Sequence, residues 1–227
     1  MTVAVGPAPL TPSEVVSVAR AGEPVELTAA ALQAMASSRA IIDDLADAPE
    51  PAYGISTGFG ALATVHIPPE SRARLQESLV RSHAAGAGPE VEPEVVRATM
   101  LLRLHTLATG RTGVRPSTAT AYAAMLNAGI LPVIREYGSL GCSGDLAPLS
   151  HIALALIGEG DVRDQSGMLM TADRALAQAG LEPVRLTEKE GLALINGTDG
   201  MLGMLVLAIA DARMLLTTAD ISAAMSI

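Results

Sequence analysis

A single cysteine occurs among 227 residues, and tryptophan is missing altogether. One thiol excludes an internal disulfide and fits a reducing, cytoplasmic setting. Aromatic residues are only 2% of the chain, so the apolar load falls to Ala, Leu, Val, Ile and Met. That is the composition of packed helices rather than of a ring-rich core. Positive charge is scarce too: 15 Lys and Arg stand against 24 Asp and Glu, a net charge of −9 with no run of like sign. Such a chain lacks the clustered basic face that nucleic-acid binding requires. The opening MTVAVGPAPLTPSE holds neither the basic segment nor the apolar stretch of a signal peptide. The strongest apolar run, Met201 to Ala210, is closed by Asp199 and Asp211. It is far shorter than the roughly 20 residues a bilayer needs, so no membrane span is expected. His66, His83, His105 and His151 are too widely spaced for an i, i+4 or H-x-x-E pair, and no metal site is expected.

What remains is a chain marked out for helices. Thr11-Pro12-Ser13-Glu14 reads as a cap, a proline in the first turn and a capping-box glutamate. Thr28 opens an Ala-rich helix expected to end near Pro49. Pro69, Pro93 and Pro116 each start another, and Gly110 and Gly129 should cap the last two. On the Pro69 helix, Leu75, Leu79 and Ser82/His83 are expected on one face. A sixth helix should follow Gly144. Thr187 and Glu190 form a second capping box, and the tail from Thr198 reads as one long apolar helix or two. Strand signals are thin, with Val25–Leu27 and Val184–Leu186 as a possible pair. The Met201, Met204, Leu205 stripe reads as core or interface. Apolar content of 49% and mean hydropathy of +0.37 predict surface buried against other subunits or further sequence. The chain stops within a helical pattern, at ADISAAMSI, as a fragment would.

Three glycine- or asparagine-containing loops interrupt the helices: Tyr53 to Gly60 (YGISTGFG), Gly141 to Asp145 (GCSGD) and Asn196 to Gly200 (NGTDG). Each alone reads first as a helix connector. Tyr53 and Phe59, however, put two of only four aromatic residues in a loop. In the second loop, a tight turn would bring the Gly144 amide nitrogen onto the carbonyl carbon of Cys142. Loss of water closes a five-membered ring through Ser143, and loss of the Ser143 hydroxyl leaves an exocyclic methylidene. Glycine is needed at 144 because a side chain would block the approach. Position 142 supplies only its carbonyl. The product is a strong electrophile, and a helix starting near Asp145 would set its positive end beside it. Asp145 itself reads as that helix's cap or as a residue positioning the ring precursor. Cys142 as a thiolate nucleophile is a rival that leaves Ser143 and Gly144 unexplained. Tyr53 could act as a base only if a positive neighbour or helix end lowered its phenol pKa. By pattern alone His83 is a core histidine, and His66, His105 and His151 read as structural.

Together YGISTGFG, GSLGCSGDLAPLSH and LALINGTDGMLGML resemble the aromatic amino acid ammonia-lyases, histidine-specific bacterial members in particular. Their cofactor is this self-made ring, 4-methylidene-imidazol-5-one (MIO). The resemblance covers essentially the whole chain. It implies a mainly α, ammonia-lyase/fumarase-like fold, with an N-terminal domain over 1–186 and the start of a central helix bundle over 187–227. It implies that Cys142, Ser143 and Gly144 form MIO, that Tyr53 removes the substrate β-proton, and that Asn196 assists ring formation and substrate binding. His83 matches the position associated with side-chain choice and points to L-histidine, giving trans-urocanate and ammonia. A cytoplasmic homotetramer is also implied. An aromatic lyase or aminomutase of the same family, or an inactive assembly fragment, are the alternatives.

Two departures stand out. Alanine usually occupies the ring's first position, where this chain has Cys142, leaving a thiol open to oxidation. Family members are also about twice as long. Their carboxylate-binding Arg, further Tyr and acidic residue near the amine have no counterpart here.

Overall fold

A computed structural model describes residues 2–140 and 144–227. Cys142 and Ser143 of the expected ring therefore lie outside the described residues, and Gly144 lies within them. The fold is mainly α, with nine α-helices and seven short strands among the described residues.

Local signals account for most helix starts. Helix α1 (Pro12–Val16) has the expected box: Thr11 accepts from the Glu14 amide while the Glu14 carboxylate accepts from the Thr11 amide. A π-helical turn, Ser17–Ala21, follows. Helix α2 (Ala29–Asp47) is capped by the Thr28 side chain, which accepts from the Ala31 amide. Helices α3 (Pro69–His83), α4 (Pro93–Ala108) and α5 (Pro116–Asn127) all begin on proline. Proline fits there because the missing N–H would have had no helical partner. Gly110 and Gly129 take the left-handed conformation just past α4 and α5, as expected.

Helix α4 is the centre of the molecule. Val96, Met100, Leu101, Leu104 and Leu107 are buried, as is Arg103. A helix apolar nearly all round belongs inside a domain, and burying each large aliphatic chain contributes roughly 1.5–3 kcal/mol. Packed around it are α2, α5 and helix α9 (Asp199–Ser226). Helices α6 (Leu146–Leu156) and α8 (Glu190–Ile195) pack on each other and on α3, and α7 (Ala172–Gln178) lies against α6.

The strands depart from expectation. Strand β2 (Val25–Leu27) pairs in parallel with β1 (Val3–Val5), and 184–186 forms no strand. The Asn127 side chain serves both backbone groups of Val25, accepting at 2.8 Å and donating at 2.9 Å. Strands β3 (Ala87–Glu90) and β5 (Arg135–Tyr137) pair antiparallel, and β6 (Asp161–Arg163) sits between β4 (Leu131–Pro132) and β7 (Leu169–Thr171).

Three other expectations are corrected. The buried face of α3 is Arg72, Gln76, Leu79 and Val80, with Leu75 only half-buried. Helix α8 starts after Lys189, which has φ of +71°. Glu190 reaches back to the Thr187 amide, but the Thr187 hydroxyl meets that carboxylate instead of a helix N–H. Only half of the second capping box forms. Finally, no apolar segment of bilayer length was expected, yet the tail takes the single-helix form, and α9 runs for 28 residues. By length and composition alone it is apolar enough to cross a membrane. Its first half is instead tied to this domain. Gly203 packs against Ala98 and Thr99, Leu207 is buried, and Arg20 clamps Asp211 at 2.6 Å. Beyond that point Met214, Leu215, Leu216, Ile221 and Met225 are exposed.

Candidate active site

The first loop is wound around one carbonyl. Ala52 O accepts from the amides of Ile55, Ser56 and Thr57 at 3.0–3.2 Å, and the Ser56 hydroxyl accepts from Ala52 N–H. Gly54 sits at φ +70°, where a Cβ would also strike the Phe59 ring. This winding leaves Tyr53 half-exposed, edge-on to Phe59 with ring centroids 6.0 Å apart. The Tyr53 phenol oxygen accepts from the Gly60 amide at 3.3 Å.

His83 ends α3. Its Nδ1 lies 2.9 Å from the Leu79 carbonyl oxygen. Nδ1 also lies 3.0 Å from the Ser82 hydroxyl; in the tautomer with the proton on Nδ1, that proton goes to the carbonyl and Nε2 is the acceptor. The Ser82 hydroxyl donates to the same carbonyl at 2.9 Å. Asn196 ends α8, its amide bonded to Leu192 O.

The second and third loops are joined directly. Gly144 and Gly197 form a parallel bridge, and the Asp145 amide donates to Gly197 O at 3.1 Å. Leu140 N–H donates to Gly144 O at 3.1 Å. Helix α6 begins at Leu146, so its positive end lies where the sequence placed it. Asp145 occupies the cap position without capping: at φ −76°, ψ 31° it lacks the extended backbone that folds a side chain over its own helix. Its buried carboxylate accepts instead from Met201 N–H at 3.0 Å, capping α9.

Below Gly197 lies a buried ion pair, Arg103 with Asp199. The Arg103 guanidinium also donates to Ala193 O, and Asp199 accepts from the Thr106 hydroxyl at 3.2 Å. Any side chain at 197 would collide with this pair, so the third loop can rest there only as glycine.

One cleft of about 410 Å³ collects Tyr53, Phe59, His83, Leu146 and Asn196, with Leu79, Leu192 and Ile195 as apolar lining. Residues from four separate segments thus share one space, beside the start of the helix that follows Gly144. A larger cavity of about 560 Å³, near the Glu90–Arg163 ion pair, contains none of the expected site residues. The other histidines lie elsewhere. His105 Nε2 meets Ala8 O at 2.9 Å, His66 bridges to Thr57, and His151 Nε2 accepts from Gly86 N–H at 3.2 Å. Burial, with Arg135 adding to it, pushes the His151 pKa down.

Two residues escaped the sequence reading. Gln76 is fully buried between the first loop and α8, and Arg103 sits under the third loop. For Arg103 the available signal was a charged residue within an otherwise apolar helix; Gln76 shares its buried face with Arg72 and had no such signal.

With this geometry in view, comparison with known proteins is informative. The family model described as "Aromatic amino acid lyase" matches residues 10–227. A histidine ammonia-lyase of Streptomyces griseus is 62% identical over 226 residues, covering all of this chain and 44% of the relative. The solved histidine ammonia-lyase of Trypanosoma cruzi is 36% identical with a TM-score of 0.86, over 94% of this chain and 41% of that one. Tyrosine aminomutase from Streptomyces globisporus is 41% identical with a TM-score of 0.87, over 94% and 40%. The chain therefore spans less than half the length of these relatives.

Proposed function

This chain belongs to the aromatic amino acid lyase family, and on that premise we propose that it carries the N-terminal part of a histidine ammonia-lyase site. The reaction is elimination of ammonia from L-histidine to give trans-urocanate. The observation that carries this reading is the single cleft shared by Tyr53, His83 and Asn196 beside Leu146. The 62% identity to a histidine ammonia-lyase supports the substrate.

The tripeptide Cys142-Ser143-Gly144 fits the MIO precursor. Gly144 is the residue whose chemistry forbids a side chain, and its carbonyl accepts from Leu140 N–H. Once formed, the ring supplies an electrophile that turns the substrate amine into a leaving group. The chain's own side chains do the rest. The Tyr53 oxygen takes the β-proton; the same oxygen accepts from Gly60 N–H. With Nδ1 committed to Leu79 O, His83 Nε2 accepts the imidazole N–H of the substrate. Phenylalanine has no such donor and tyrosine has its hydroxyl further out. Asn196, lining the same cleft, would help hold the substrate there. Residues 187–227 open the helix bundle, and the apolar residues exposed along α9 support burial against the remainder of a longer chain or further copies, as in a homotetramer.

The test is urocanate formation from L-histidine by this chain alone and by the chain extended through the missing half. Phenylalanine and tyrosine serve as competing substrates. Turnover of histidine by the extended chain, reduced about 100-fold or more by Tyr53→Phe, supports the reading. Preference for tyrosine or phenylalanine would transfer the chain to the lyases or aminomutases for those substrates.

A further inference from the structure

We propose that Gln76 is a positioning residue that sets Tyr53 and Asn196 relative to His83; the inference rests on the cleft described above. Gln76 lies on α3 seven residues before His83 and is fully buried. Its amide nitrogen donates to Gly54 O at 3.3 Å, and its amide oxygen accepts from Gly191 N–H at 2.9 Å. Gly54 adjoins Tyr53. Gly191 lies in α8, the helix that ends at Asn196. One side chain thus joins the three segments that deliver the three cleft residues.

The chemistry of the two contacts fixes which side chain can do this. Gly54 presents a carbonyl and needs a donor, whereas Gly191 presents an N–H and needs an acceptor. A primary amide supplies both from one planar group. Glycine at 191 is part of the same device, because a Cβ there would lie 2.9 Å from both the backbone and side-chain oxygens of Gln76. Leucine at 76 would fill the space but leave a buried carbonyl and a buried N–H unpaired. Glutamate would serve Gly191 but, when ionised, would set an oxygen against Gly54 O. Burial raises a carboxyl pKa, and the protonated acid again offers one donor and one acceptor.

The experiment compares wild type, Gln76→Glu and Gln76→Leu. Hydrogen exchange in this chain reads the Ile55, Ser56 and Thr57 amides, and steady-state kinetics on histidine are run in the extended chain. At about pH 8, Gln76→Glu should speed exchange of those three amides about tenfold relative to wild type, with α4 unchanged. In the kinetics kcat should fall by a similar factor while KM moves less than about threefold. Both ratios to wild type should recover towards about pH 6, where the variant acid protonates. Gln76→Leu should show the loop effect without acid recovery. Unchanged loop exchange, loosening spread equally into α4, or absence of acid recovery in Gln76→Glu would overturn the proposal. If the wild-type extended chain fails to turn over histidine, the functional reading fails, while the exchange measurements still decide the role of Gln76.

Discussion

Replacing Asp199 with asparagine removes the counter-charge of a guanidinium that is 1% exposed. In the folded protein Arg103 has Asp199 and the Ala193 carbonyl as partners, and its Nε has none among the described residues. Asparagine offers one acceptor oxygen where Asp199 serves two donors, Thr106 and Arg103, so the change removes the charge together with one hydrogen bond. Leaving one member of a buried pair uncompensated costs about 3–5 kcal/mol. Domains of ordinary stability hold only about 5–15 kcal/mol. With a urea slope of about 2–3 kcal/mol/M, the midpoint should fall by about 1–2.5 M. The assay is urea unfolding followed by far-UV circular dichroism. A matched double variant, Arg103→Met with Asp199→Leu, should recover much of the loss, because neither charge then remains to be desolvated. A loss below about 1 kcal/mol for Asp199→Asn is the value of an exposed pair. That result would refute the claim that this pair is the desolvated floor of the third loop.

Other consequences can be checked together. Burial lowers the His151 pKa in the fold, so the native state favours the neutral ring that accepts from Gly86. The associated stability is full above the unfolded value, about 6.5, and declines as pH falls through the folded one. His151→Gln should flatten that part of a Tm-against-pH curve. Glu190 is subject to burial, which pushes its pKa up, but hydrogen bonds from Arg115, Thr118 and Thr187 outweigh it and hold the carboxylate below its ordinary range. Its contribution is therefore present above about pH 4.5 and is lost in stronger acid; Glu190→Gln should remove this acid sensitivity in the same scan. Gly191→Ala should destabilise the chain by about 1–3 kcal/mol through overpacking against Gln76, read in the same urea titration.

Local signals carried the helices well. Thr11, Thr28 and the three helix-opening prolines act within a few residues of themselves, so their effect is legible without tertiary structure. The gathering of Tyr53, His83 and Asn196 followed from family resemblance, since no local pattern brings residues so distant in sequence together. Misses share one physical cause, which is that a distant partner decided the outcome. Strand β2 pairs with β1 because Val3–Val5 and the Asn127 side chain complete its hydrogen bonds. Asp145 caps α9 because Met201 N–H is offered there while its own helix geometry is unfavourable. The apolar helix runs on past Asp211, whose carboxylate pairs with Arg20, 191 residues earlier. The buried amide of Gln76 is meaningful only once Gly54 and Gly191 stand on either side of it.

The central claim is that Cys142, Ser143 and Gly144 cyclise to MIO, and the intact mass of the purified protein tests it most directly. The account predicts a mass lower than that of the unmodified sequence by two water molecules, with the loss localised to a peptide containing Cys142, Ser143 and Gly144. Ser143→Ala should lack that signature. An unmodified mass in the wild-type extended chain would contradict the account.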